Sequence, residues 1–157
     1  MPAPFPVSVL TAEGRLYSSE AEFVVVPAAE GELGILDRHE PLLALLKAGP
    51  LRITKDGVGG SDEEVLFVSG GFVDVGRDED DKTVVTVLAD SGERAHDIDE
   101  ARAEEARRRA QELLGQKLSY QEMAEAAALL ERSTARIRVA ELSRRRSPRR
   151  ERPVTSE

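Results

Sequence analysis

His39 and Glu40 are adjacent in a chain with only two histidines, the second being His96. A zinc-peptidase helix opens with the same pair and needs a second histidine four residues after the first, so that both rings reach one metal. Leu43 holds that position here, and Pro41 interrupts any helix. His39 therefore reads as a loop histidine making a hydrogen bond, and no metal site is expected. The glycine-rich "GVGGSD" lacks the spacing that cradles a dinucleotide, and no Gly-Lys-Ser/Thr occurs to hold a phosphate. Ser69 in "VSGGF" has no glycine two residues before it, as a nucleophile elbow requires. The acidic run "RDEDDK" lacks the alternating ligands, glycine and distal glutamate of a helix–loop–helix calcium loop, so it reads as a solvated turn. With no cysteine there is neither a thiolate ligand nor a disulfide. Nothing assembles a nucleophile, a base and an oxyanion hole. The sequence points to a non-catalytic protein with no required cofactor.

Composition bounds the alternatives. The 157 residues fit one medium domain, or a small domain with an appendage. Aromatic residues make up 4%, so the core must be aliphatic, and the net charge of −8 argues against a general nucleic-acid binder. No apolar stretch approaches the roughly 20 residues of a membrane span, and "MPAPFPVSVL" does not read as a secretory signal. A cytoplasmic, bacterial protein is expected. Charge is unevenly placed, with a net −10 over residues 1–95 and +2 over residues 96–157.

The elements divide along the same line. "VSVL", "RLYS", "EFVVV", "LRIT", "EVLFVS", "GFVDV" and "TVVTVLA" read as short strands separated by turn residues. Their spacing predicts an antiparallel β-sandwich or barrel, with about ten strands over residues 1–90. From His96 the pattern is helical: "DIDEARAEEARRRAQELLGQKL" is rich in Ala, Glu and Arg. Asp97 is the expected cap, with Glu100 completing a capping box, and Gly115 the expected break. A second helix is expected over residues 120–142, with Met123, Leu130 and Ile137 marking one seam. Ala124, Ala126, Ala127 and Ala128 allow a neighbouring helix to approach closely. Residues 91–142 thus predict an antiparallel helical hairpin with a thin, separable seam. The six arginines and two prolines of residues 143–157 predict a disordered basic tail, read as a solvated extension.

Four stretches in order carry a family resemblance: "VVVPAAEGELGILDRHEPLLALLKAGPLRI", "VSGGFVDV", "VTVLAD" and "DIDEARAEEARRRA". Together they make the chain resemble the epsilon subunit of bacterial F-type ATP synthase over about residues 5–142. The resemblance implies a β-sandwich followed by a two-helix hairpin, in agreement with the periodicity. It also implies a non-catalytic subunit of the central rotating stalk that couples proton flow to ATP synthesis. The implied partners are the gamma subunit, the c ring, and the beta and alpha subunits of the catalytic head. The implied location is peripheral, on the cytoplasmic face of the bacterial cell membrane, with membrane association only through the complex and no nucleic acid. The family often carries Pro-Gly where Asp37 and Arg38 stand.

The same resemblance assigns residues. Residues 31–39 would lie at the sandwich end that meets the c ring, with Glu32 against that ring and His39 nearby, and Gly31 and Gly34 allowing a close approach. Residues 41–46 are expected to pack into the core. "IDEARA" matches a motif of members that bind a regulatory ATP on the folded hairpin, which implicates Ile98, Asp99, Arg102 and Ala103. Arg102 and Arg109, seven apart on one helix, and Arg132 and Arg136, four apart on the other, could converge on phosphates. In an extended hairpin, Arg132, Arg136 and Arg138 would face an acidic region of beta and oppose hydrolysis. A stand-alone β-sandwich binding module is the alternative, with a small metal-dependent hydrolase a more distant one.

Overall fold

The computed structural model describes residues 3–146. Eight strands form the first half: β1 (Phe5–Thr11), β2 (Gly14–Ala21), β3 (Phe23–Ala28), β4 (Gly31–Leu36), β5 (Leu42–Thr54), β6 (Glu63–Arg77), β7 (Thr83–Ala89) and β8 (Gly92–Arg94). The expected ten become eight because separately read stretches join. "EVLFVS" and "GFVDV" are one 15-residue strand, and "LRIT" is the end of a 13-residue strand.

Those two long strands serve both layers of the sandwich. The first part of β5 (Leu42 to Leu46) pairs with the last part of β6, which pairs in turn with β7. The last part of β5 pairs with β3, and the first part of β6 with β8. β6 crosses between layers at Gly70-Gly71. Gly71 has φ +114, and a Cβ there would meet the Leu88 carbonyl oxygen at 1.9 Å, so only glycine fits. The sheet is not wholly antiparallel, since β1 runs parallel to β7.

Alternation builds the core. Phe5, Val7 and Val9 of β1 and Val85, Val87 and Ala89 of β7 point inward, joined by Val24, Val26, Ile35, Leu51, Ile53, Leu66 and Val68. β6 is buried on both faces: Leu66 and Val68 face this core, while Val65 and Phe67 face the helices.

A 3-10 turn, Ala95–Asp97, leads to α1 (Glu100–Leu114), and α2 (Tyr120–Arg146) follows. The cap is Asp99 rather than Asp97: its Oδ1 accepts from the Arg102 N–H at 3.1 Å, because Asp97 is taken up by the turn. Gly115 caps the C-terminus, as expected. The helices meet mostly through small side chains, with Ala103 and Ala110 buried on α1 and Ala126, Ser133 and Ala140 buried on α2 beside the larger Ile137. Met123 is 48% exposed and lies outside the seam. Ala124 and Ala127 are exposed too, and Ala126 alone of the four named alanines is buried. The hairpin rests on the sandwich through Ala135 and Val139 against Val65 and Phe67, with Ile98 and Leu142 at the margin. α2 continues four residues past the expected end at Leu142; the rest of the basic tail lies outside the described residues.

Candidate interaction surfaces

Residues 31–39 are mostly strand. Gly31 (φ +137) starts β4, and residues 31–36 pair along β3. Gly34 also has a reason within the sandwich, because a Cβ there would sit tightly, 3.2 Å from the Phe23 ring. Glu32 sits on this outer strand with its side chain 43% exposed. Its Oε2 accepts from Arg52 Nη2 at 3.2 Å, and its Oε1 from Arg138 Nη2 at 3.4 Å. Beside it opens a largely apolar hollow of about 500 Å³, lined by Ala28, Gly31, Leu33, Leu42, Ala44 and Leu45 among others.

His39 lies past the far end of β4. At about 3.3 Å per residue, the four-residue span from Glu32 to Leu36 alone separates the two by roughly 13 Å. Its turn is built by Thr83, whose buried Oγ1 donates to Asp37 Oδ1 at 2.9 Å and accepts from Arg38 N–H at 2.7 Å. Arg77 Nη2 donates to the Arg38 carbonyl at 3.0 Å. These bonds hold Arg38 at φ 66, a conformation glycine adopts at no cost, so the turn survives without the glycine of the family pattern. The His39 ring nitrogen Nδ1 is 2.8 Å from the Glu40 carbonyl oxygen.

One surface was not foreseen. Leu43 is 69% exposed and Leu45 57% exposed, so residues 41–46 do not all enter the core; Leu46 does. Cross-strand register sets Leu45 beside Phe72, Phe72 beside Leu88, and Leu88 beside Leu10. Phe72 and Leu88 are also exposed, giving an apolar row across four strands. The unbroken run Leu42 to Leu46 was the available signal, since a strand with one wet face should alternate.

The hairpin arginines divide. Arg102 and Arg109 line one cleft with Glu105, Ala106 and Leu129. At 100° per residue, Leu129, Arg132 and Arg136 fall within about 60° on one flank of α2. Arg132 is half-buried one turn from Leu129. Arg136 is engaged elsewhere: its Nε donates to Glu93 Oε1 at 2.6 Å, and its guanidinium lies 4.7 Å from the Phe67 ring centroid. Ile98, Asp99 and Ala103 have structural tasks, respectively packing, capping and seam filling. Arg107 is bound to Glu104 at 2.7 Å.

The class the fold defines is an eight-stranded sandwich carrying a docked two-helix hairpin. Both parts match family models: the "ATP synthase, Delta/Epsilon chain, beta-sandwich domain" over residues 4–95 and the "long alpha-helix domain" over residues 96–141. The chain belongs to the ATP synthase delta/epsilon chain family. It is 47% identical over 140 residues to "ATP synthase epsilon chain 2" of Ralstonia nicotianae, covering 89% of this chain and 95% of that one. It is 42% identical over 148 residues to the "ATP synthase epsilon chain" of Chromohalobacter salexigens, covering 94% and 99%. The fold is similar to a chain in the Euglena gracilis mitochondrial ATP synthase (OSCP/F1/c-ring), with TM-score 0.74, 22% identity, and 90% and 83% coverage. Among the described residues, no helix is long and apolar enough to cross a membrane.

Proposed function

We infer that the chain is the epsilon subunit of a proton-translocating F-type ATP synthase, a non-catalytic part of the central stalk that joins gamma to the c ring. The match to both family domains, over nearly the whole chain, carries this reading. On this reading the protein is peripheral, at the cytoplasmic face of a bacterial membrane, attached only through the complex.

The apolar row of Leu45, Phe72 and Leu88 is the face for gamma. Large apolar side chains in register on a rigid sheet suit a permanent partner, which would remove them from water at about 25 cal/mol per Å². Glu32 and the hollow beside it meet the c ring, where a charge on the margin sets orientation more than affinity. Cysteine at Glu32 should then form a cross-link to a cysteine in the polar loop of the c subunit. Free labelling of that cysteine in the assembled enzyme would refute the contact.

The hairpin restrains ATP hydrolysis from an undocked position, with Arg132, Arg136 and Arg138 facing an acidic surface on beta. The thin alanine seam supports this, because little apolar area must be exposed to release it. A regulatory ATP binds the docked hairpin at the Arg102–Arg109 cleft, with Arg132 beside it. Arg136 would join the phosphates only after leaving Glu93.

A further inference from the structure

Arg136 and Arg138 both reach from α2 to sandwich carboxylates, and the two contacts are unequal. Arg136 meets Glu93 of β8 at 2.6 Å with both side chains about two-thirds buried (31% and 33% exposed). It also lies over the face of Phe67, a ring with no exposed surface. A charge-assisted hydrogen bond shielded from water, backed by an aromatic face, is the stronger kind of polar contact. Arg138 meets Glu32 of β4 at 3.4 Å and is 58% exposed, and Glu32 is shared with Arg52. Exposed, shared pairs of that sort contribute little.

The apolar contact beneath these bonds is small. Ala135 and Val139 are the buried α2 residues on the sandwich, against Val65 and Phe67. Two small side chains, with Leu142 at the margin, give a helix of 27 residues little grip.

We propose that Glu93 and Phe67, with a minor share from Glu32, form a latch that holds α2 down and occupies the arginines an acidic partner would need. Glu93 stands in for that partner. While Arg136 is bound to it, the guanidinium cannot be offered elsewhere, so every competing acidic contact must first outweigh the latch. The latch is electrostatic, so salt loosens it. Its regulatory consequence rests on the hairpin acting as a brake; the latch itself does not.

The experiment uses the full-length subunit with spin labels at Ser18→Cys on β2 and Glu125→Cys on α2, both exposed positions. Pulsed electron resonance reads the fraction undocked. Glu93→Gln should raise the undocked-to-docked ratio about fivefold, the scale of one partly buried ion pair. Arg136→Glu should raise it further, and Arg136→Glu combined with Glu93→Arg should bring it back. Glu32→Gln should change it less than about twofold. Unchanged distances in Glu93→Gln and Arg136→Glu, or no recovery in the charge swap while the sandwich still melts cooperatively, would overturn the latch. If Glu93→Gln undocks the hairpin yet leaves hydrolysis by the assembled enzyme unaltered, the latch is supported and the brake refuted.

Discussion

The sandwich and the hairpin are held by different physics. In the sandwich, 18 buried residues form one cluster, aliphatic apart from Phe5 and Tyr17, and long strands tie both layers together. The hairpin reaches the sandwich through a cluster of four buried residues and a few ion pairs. Close packing makes the first region all-or-none, because removing any part leaves a hole. The second can separate along a seam of small side chains and charged groups that water accepts readily. On the proposed reading, that contrast provides a rigid body to transmit rotation and an arm able to move and regulate it.

The contrast breaks most visibly under two deletions of very different size. Leu51→Ala removes three carbons from a fully buried site and should cost about 2–5 kcal/mol of sandwich stability, read by chemical denaturation. Deleting everything after Ala95 removes both helices but keeps β8, which pairs with β6. That shortened chain should still fold cooperatively, and should bind a hydrophobic dye through the uncovered Val65 and Phe67. In the assembled enzyme, hydrolysis should rise while synthesis persists. A truncated chain that fails to fold, or one destabilised more than Leu51→Ala, would mean the two regions are one cooperative unit.

Much of this contrast was legible in the sequence. The switch from period-two strands to an Ala, Glu and Arg-rich helix marked the boundary, and the ordered motifs marked the family. The strand count was not legible, because Gly70-Gly71 looks like a turn yet here carries one strand between layers. The cap was misplaced at Asp97 because two aspartates two residues apart offer the same side chain, and only the 3-10 turn decides between them. Met123 keeps heptad spacing but lies near the exposed start of α2. The contacts of Arg136 and Arg138 join residues 43 and 106 positions apart, which local pattern cannot reveal. The Leu45–Phe72–Leu88 row likewise depends on register across three strands.

A smaller effect sharpens the account of the arm. ATP bound at Arg102, Arg109 and Arg132 would favour the docked hairpin, by about 2.7 kcal/mol at 100 times the dissociation constant. Calorimetry on the isolated subunit should find binding that Arg102→Ala weakens strongly. Arg107→Ala should matter less, since Arg107 is bound to Glu104 and lies off the cleft. No heat at millimolar ATP, or equal losses from the two substitutions, would leave these arginines as surface charges.

On the proposed reading, this chain is a stalk subunit that binds gamma through the outer face of its sandwich. Mixing the purified protein with gamma at micromolar concentrations and weighing the product by light scattering tests it directly. The account predicts a one-to-one complex, lost on Phe72→Asp although the sandwich, whose core does not include Phe72, keeps its melting transition. Failure of the unaltered chain to bind gamma would contradict the assignment, and an undiminished complex with Phe72→Asp would contradict the face.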